Sequence, residues 1–229
     1  MNEPVEGFDW NDRRTFLRAG IAVEVAVLLI GLGLGWLAGI DPWGGCRVTP
    51  VAIAWGVAAT GPLLLAFGVT YTASWPPLLR IRELLVEMLG RPMALCRWYD
   101  LLLLAALAGV CEELLFRGVI QPWMAGDDAA RPLAIGFVVA LIGSNLLFGL
   151  LHPITPTYAI VVGLVGTYLG LVGLVDPLPA GTPSHGQLNL VVPMVAHGLY
   201  DFLAFLVIAG ESRRRDTARA DVTGIVESD

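Results

Sequence analysis

The stretch LLLLAALAGVCEELLFRGVIQPWM, residues 101–124, decides the fold of this chain. It is apolar along most of its length, and a helix that rises about 1.5 Å per residue over this distance crosses the roughly 30 Å hydrocarbon core of a bilayer. Within it lie two acidic residues and one arginine, which lipid disfavours and which therefore mark a candidate functional position. The stretch predicts a membrane-spanning helix that carries part of a buried polar site.

Five further apolar runs accompany this one, so the sequence predicts an all-α, multi-pass transmembrane helical bundle of about six spans. Hydrophobic residues make up 56% of the chain, charged residues 15%, and the mean hydropathy is +0.71. The runs are continuous rather than alternating, which favours helices over the strands of a membrane barrel. The six runs lie near residues 17–40, 51–72, 98–124, 132–152, 157–175 and 189–209.

Arginine supplies all fourteen basic residues, and its distribution predicts the orientation. If the amino terminus is cytoplasmic, eleven arginines fall in inside segments and only Arg47 and Arg131 in outside loops, as the positive-inside rule favours. Both termini are therefore expected in the cytoplasm. The lack of lysine is typical of a GC-rich bacterial genome, so the expected location is a bacterial inner membrane. The net charge of −6, without a basic stripe, argues against nucleic acid as a partner.

Three regions follow from these patterns. Residues 1–97 hold the first two spans and the segment PPLLRIRELLVEMLG, whose helical spacing of apolar side chains predicts a cytoplasmic interfacial helix. Residues 98–209 hold the remaining spans and six of the seven ionisable groups expected inside the membrane. Residues 210–229 are polar and of mixed charge, so they are predicted to form a disordered cytoplasmic tail.

In the third span, Glu113 and Arg117 are four residues apart and share one helical face. A salt bridge between them would remove much of the cost of placing both charges in lipid. Glu112, rotated about 100° around the helix, points elsewhere and needs another partner.

Further ionisable groups come from two later spans. His152 closes the fourth span, and His197 and Asp201 share a face of the sixth span through a spacing of four residues. Two imidazoles and two carboxylates can therefore converge. A carboxylate beside an imidazole is suited to deprotonate a water molecule, and a second imidazole can donate to a developing oxyanion. The alternative is a buried polar network that only fixes the packing of the helices.

Other candidates are given lesser roles. Glu24 is expected to reach the cytoplasmic interface or to pair with Arg18, and His185 to lie in a solvated loop. Cys111 is expected to be a small packing residue, because the three cysteines form no metal-binding or disulfide pattern. A zinc protease that uses both membrane histidines and an acid stays open as a second enzymatic hypothesis.

The segments EELLFR, FGLLH and HGLYD resemble the motifs EExxxR, FxxxH and HxxxN/D of the CPBP family of CAAX proteases and bacteriocin-processing proteins, also called the Abi family. The resemblance covers residues 98–209, about half of the chain, with the motifs in order on separate spans. It implies that Glu112 and His152 activate water, and that His197 and Asp201 stabilise the oxyanion. It further implies that Glu113 and Arg117 support the site, while the aromatic position, Phe148, packs.

The function implied by the resemblance is an intramembrane endopeptidase that needs no metal or organic cofactor. Its partners would be the lipid bilayer and a membrane-associated peptide or protein, which in a bacterium would be a membrane peptide, leader or signal remnant rather than a prenylated protein. A non-catalytic membrane protein, such as a bacteriocin immunity factor or a scaffold for partner helices, is the alternative from another class.

Overall fold

The chain was analysed as a computed structural model that describes residues 10–129, 131, 134–174 and 188–226, with side chains described as far as residue 220. These described residues form helices and no strand, which confirms the predicted fold class. The helical elements in chain order are α1 Arg13–Ala38, α2 Pro50–Thr72, α3 Pro76–Leu85, a π segment Val86–Gly90, α4 Arg91–Leu95, α5 Trp98–Glu113, a second π segment Leu114–Ile120, α6 Gln121–Ala125, a 3₁₀ turn Gly126–Asp128, α7 Ile135–Leu150, α8 Pro156–Val172 and α9 Val191–Val226.

Local signals explain where the long helices begin and end. Asp12 caps α1 by accepting a hydrogen bond from the Thr15 backbone nitrogen at 2.8 Å, and threonines cap α2 and α8 in the same way, each followed by proline at the first helical position. The α1 helix ends at Gly39, whose φ of 67° lies in the left-handed region that glycine adopts without steric cost.

The surface of the bundle is apolar, as expected of a protein whose solvent is lipid. Within the described ranges, three helices are long and apolar enough to cross a bilayer: Arg13–Ala38, Pro50–Thr72 and the segment Val191–Ala220 of α9. Large apolar side chains point outward, with Trp36 81% and Ile135 83% exposed. A soluble protein rarely exposes so much apolar surface, so the helices form a membrane bundle.

The other apolar runs are not single long α-helices, because one of them contains a π segment and two form shorter helices. From Trp98 to Ala125, α5, the second π segment and α6 follow one another without a break, over about 40 Å at the rise of an α-helix. The α7 and α8 helices are shorter, with 16 and 17 residues. The number of membrane passes and the cytoplasmic position of both termini stay predictions.

The α5 helix lies at the centre and contacts both α1 and α9. It runs antiparallel to α9, because Gly109 meets Gly198 while the earlier Ala94 accepts a hydrogen bond from the later Arg213. The backbones approach so closely that a methyl group on Gly109 would lie 2.7 Å from the Gly198 nitrogen. The α7 and α8 helices form a similarly close hairpin, which small residues permit.

The segment predicted to form an interfacial helix is helical, and its position at the membrane surface stays a prediction, but the tail differs from its prediction. The interfacial segment forms α3 and the first π segment, with Ile81 buried and Glu87 exposed. The prediction of disorder from residue 210 is wrong for the part described, because α9 continues to Val226. Arg213 donates to the backbone oxygens of Ala94 and Cys96, which holds this polar extension against the preceding helices.

Candidate active site

The acidic pair at the end of α5 is the centre of the candidate site. Glu112 and Glu113 are the last residues of α5, and Arg117 lies in the π segment that follows. Glu113 and Arg117 are buried, and Arg117 Nη1 donates to Glu113 Oε1 at 3.0 Å. The predicted ion pair is therefore present and neutralises two charges that lipid disfavours. Turns of π-helix inside a longer helix are frequent at functional sites.

Arg117 also ties this helix to the α7–α8 hairpin. Its Nη2 atom donates to Asn145 Oδ1 at 2.8 Å and to the carbonyl oxygen of Gly166. Its guanidinium carbon lies 5.1 Å from the centre of the buried Phe148 ring, so Phe148 packs as predicted. Sequence reasoning missed Asn145, although an amide inside the apolar run of α7 was an available signal.

His197 connects both acids of the pair to α9. Its Nδ1 atom lies 2.9 Å from Glu113 Oε1, and its Nε2 atom lies 3.4 Å from Asp201 Oδ2 and 3.9 Å from Glu112 Oε2. The shared face of His197 and Asp201 was predicted, but the bond to Glu113 was not. Both ring nitrogens face carboxylate oxygens, and only the imidazolium form carries a hydrogen on each. The geometry therefore favours a positively charged His197.

His152 lies just after α7 and faces the same site from the opposite side. Its Nδ1 atom is 2.8 Å from the Phe148 carbonyl oxygen, which only a protonated Nδ1 can satisfy. In a neutral ring this bond leaves Nε2 as a free acceptor. His152 and Glu112 share no direct hydrogen bond within the described part of the chain, so a water molecule between them is the way they could act together.

A cavity of about 230 Å³ brings these side chains together between α1, α5, α8 and α9. Water occupies about 30 Å³ per molecule in the liquid, so the cavity has room for several waters. Apolar side chains from α8 form much of the remaining wall. The polar residues that line it are Glu24, Glu112, His152, Tyr158, His197, Tyr200 and Asp201. All four residues predicted to be catalytic therefore line one cavity, whereas Glu113 and Arg117 do not line it.

Glu24 is placed differently from its prediction. It lines the cavity instead of reaching the helix end, and its Oε2 atom is buried without a hydrogen-bond partner among the described residues. The sequence could not reveal this, because the direction in which one helix faces depends on its neighbours. Tyr158, near the start of α8, and Tyr200, within α9, were also missed, because a tyrosine in an apolar helix is usually a packing or an interfacial residue.

The other candidates lie outside this site. Cys111 is buried with a free thiol and does not line the cavity, in agreement with a packing role. His185 lies outside the described residues. No three His, Cys, Asp or Glu side chains in the described ranges are arranged to hold a metal ion, so the geometry gives the zinc hypothesis no support.

Buried carboxylates and two histidines around a cavity inside an apolar helical bundle form a candidate site for hydrolysis within the membrane. Residues 94–203 match the family described as type II CAAX prenyl endopeptidase, Rce1-like, and this segment contains all three motifs. The resemblance to the CPBP family is thereby confirmed for this part of the chain, and the match supports a CAAX-type membrane protease. No curated protein and no solved structure was found to match the chain.

Proposed function

We propose that the chain is an intramembrane endopeptidase that cleaves a membrane-associated peptide or protein with water activated by Glu112 and His152. The observation that carries this proposal is the position of Glu112, which lines a cavity together with both histidines while its neighbour Glu113 is already neutralised by Arg117. Glu112 is thus the acid of the pair that is free to accept a proton.

In the proposed reaction, Glu112 takes a proton from water, and the resulting hydroxide attacks the carbonyl carbon of the scissile bond. His152 holds the water through its free Nε2 atom. The negative charge that develops on the carbonyl oxygen is stabilised by the Nε2–H group of His197, which lies near both Glu112 and Asp201. Glu112 then passes its proton to the leaving amine as the carbon–nitrogen bond breaks.

The remaining polar groups prepare this geometry. Glu113 holds the Nδ1 side of His197, so the opposite nitrogen of the ring points toward the cavity. Arg117 fixes Glu113 and bonds to α7 and α8, which supports the walls of the site. Asp201 faces the Nε2 side of His197 and is proposed to orient the ring rather than to donate to the oxyanion.

The substrate class follows from the location of the site. A peptide bond must reach a cavity inside an apolar bundle, so a membrane-embedded or membrane-anchored peptide is proposed. Prenylated CAAX proteins are the class named by the matched family. For a bacterial chain we propose a leader, a signal remnant or another membrane peptide instead.

The test is proteolysis by the purified protein in proteoliposomes, with a library of lipid-anchored peptides read by mass spectrometry. Wild type is expected to cleave, and Glu112→Gln, which keeps the shape of the side chain, is expected to be inactive while remaining folded. Glu87→Gln, the same change at an exposed position, serves as the control and should be fully active. Equal cleavage by wild type and Glu112→Gln would contradict the proposal.

Substitutions of the two histidines distinguish a catalytic site from a polar network that is only structural. His152→Ala should lower kcat by about 10²–10⁴-fold and His197→Ala by about 10²–10³-fold, with little change in peptide binding. A network that only fixes helix packing predicts lower thermal stability in detergent and unchanged activity per folded molecule. Loss of activity after exhaustive chelation, restored by zinc, would instead favour the metal mechanism.

A further inference from the structure

The α1 helix contributes to the cavity although none of the motif residues comes from it. Its register against α5 is set by three contacts: Arg13 pairs with Asp100, Gly20 meets Leu104, and Gly31 meets Leu115. The two helices therefore run parallel with nearly constant offset. This register places Glu24 beside Ala108, one turn before Glu112. Along α1, Glu24 is about 16 Å from Arg13, and along α5, Glu112 is about 18 Å from Asp100.

The helix contacts hold Glu24 in this position. At Gly20, an added methyl group would meet the Leu104 side chain at 2.9 Å, and at Gly31 it would lie 3.4 Å from the Leu115 backbone. Both glycines are on the side of α1 that faces α5, and Glu24 extends from nearly the same side. These contacts fix the rotation of α1 about its axis, so Glu24 lies on the face of the helix that lines the cavity.

The charges around the cavity do not balance. Glu24, Glu112 and Asp201 all line it, whereas Arg117 is already engaged with Glu113. Among the described residues that line the cavity, His197 is the one cation indicated by geometry, and it lies nearest to Asp201 and Glu112. Glu24 forms none of these contacts, and no described residue forms a hydrogen bond with its buried Oε2 atom. A buried carboxylate without a counter-charge is strongly disfavoured.

We infer that Glu24 is a specificity-determining residue that binds a basic side chain, lysine or arginine, of the peptide substrate beside the scissile bond. The inference rests on the proposed endopeptidase function. An ammonium or guanidinium group that enters the cavity would supply the missing positive charge and donate to the unpartnered oxygen. Because Glu24 is about one turn from Glu112, the basic residue is placed within a few positions of the bond that Glu112 hydrolyses.

The competing explanation is a proton shared among the acids, in which Glu24 is neutral and only adjusts the reactivity of Glu112. The titratable groups near Glu24 or in the same cavity wall are Glu112 and Cys111 on α5, His152 after α7, Tyr158 on α8, and His197, Tyr200 and Asp201 on α9. A shared proton would change the pH profile of cleavage for every peptide. Recognition of a basic residue would instead act on one class of peptide and leave the pH profile of the others unchanged.

The experiment uses the full chain in proteoliposomes and lipid-anchored peptides in which each position in turn is lysine, norleucine or glutamate. Norleucine keeps the apolar stem of lysine and lacks its charge. For wild type, lysine at one position should raise kcat/KM by about 10–100-fold over norleucine, the range expected for a charge-assisted hydrogen bond. This comparison needs no variant, so it holds even if a substitution at Glu24 prevents folding.

Variants then assign the effect to Glu24. Glu24→Gln should raise the KM for lysine peptides to that for norleucine peptides, so that the preference for lysine is lost, while Glu24→Asp should retain part of this preference. Glu24→Lys should transfer the preference to glutamate peptides. The exposed Glu87→Gln serves as the matched control and should behave as wild type. Equal use of lysine and norleucine by wild type, or slower cleavage of all peptides by Glu24→Gln with a shifted pH profile, would overturn the inference.

A binding measurement keeps this inference separate from the proposed reaction. Fluorescently labelled peptides should bind wild type about 10–100-fold more tightly with lysine than with norleucine, and Glu24→Gln should remove the difference. If wild type cleaves no peptide but binds the lysine peptides in this way, the endopeptidase proposal fails and recognition by Glu24 stands. If wild type cleaves the lysine and the norleucine peptides and binds both equally, the endopeptidase proposal stands and recognition by Glu24 fails.

Discussion

The substitution Gly109→Ala tests a close backbone contact in the bundle, where α5 meets α9. An added Cβ atom would lie 2.7 Å from the Gly198 nitrogen, 2.8 Å from the Met194 oxygen and 2.9 Å from the Gly198 Cα atom. All three are backbone atoms and cannot move aside as a side chain would. The helices must therefore separate by about 0.7 Å or more to reach an ordinary contact distance of about 3.4 Å.

The size of the effect follows from two opposing contributions. Overpacking of this kind lowers the free energy of unfolding by about 1–3 kcal/mol, and a backbone obstacle favours the upper part of that range. Alanine gains up to about 1 kcal/mol over glycine in a helix interior. The net loss of stability is therefore expected to be about 1–2 kcal/mol.

The same separation should damage the site. Glu113, on α5, lies 2.9 Å from His197, on α9, so a shift of about 0.7 Å stretches that hydrogen bond beyond its normal limit. Peptide cleavage per folded molecule should fall together with stability. Gly33, on α1, carries no such penalty, because an added methyl group would meet nothing within 4 Å, and Gly33→Ala is the control.

Reversible unfolding in mixed micelles, followed by circular dichroism, measures the free energies, and peptide cleavage measures the site. Gly109→Ala should be less stable and less active than wild type, whereas Gly33→Ala should match or exceed the stability of wild type. A Gly109→Ala variant as stable and active as wild type would refute the close approach of α5 and α9.

The remaining predictions concern charge pairs and topology. Arg117→Ala should lower the free energy of unfolding by about 3–5 kcal/mol, because it strands the buried Glu113, and a fully stable, active variant would contradict the pairing. Arg131→Ala, at a surface pair, should cost less than about 1 kcal/mol in the same unfolding assay. Asp201→Asn should retain most peptide cleavage, because an amide can still contact His197; a loss as large as that of Glu112→Gln would refute the orienting role. Fused reporters should read cytoplasmic after residues 90 and 215 and external at Gly45 and Pro183, and opposite labelling at any site would break the six-span topology.

The helical class and the central ion pair could be predicted because both depend on short-range patterns. A run of apolar residues is sufficient to predict a helix in lipid, and a spacing of four places Glu113 against Arg117 whatever the neighbouring helices do. The spacing of His197 and Asp201 is informative for the same reason. These features need no knowledge of how the helices pack.

Features that depend on packing between distant segments were missed. The turn Leu114–Ile120 is π-helical where a regular helix was expected, and Arg117 within it bonds to residues 28 and 49 positions later. The position of Glu24 depends on close contacts at glycines of α1. The extension of α9 is polar and predicted to be disordered, but Arg213 anchors it to residues more than 100 positions earlier. No local pattern reports such contacts.

The bonds of Arg117 have a consequence for biogenesis in the membrane. When the segment that carries Arg117 has been synthesised, Glu113 is present but Asn145 and Gly166 are not, and His197 comes later still. The charged centre of α5 therefore lacks most of its partners until the α7–α8 hairpin and then α9 have been inserted. Helices that enter lipid separately must associate before Arg117 and Glu113 have all their hydrogen-bond partners. A chain truncated before α7 should therefore be retained by the insertion machinery or degraded. The cavity is therefore completed only when α9, which carries His197 and Asp201, has joined the bundle.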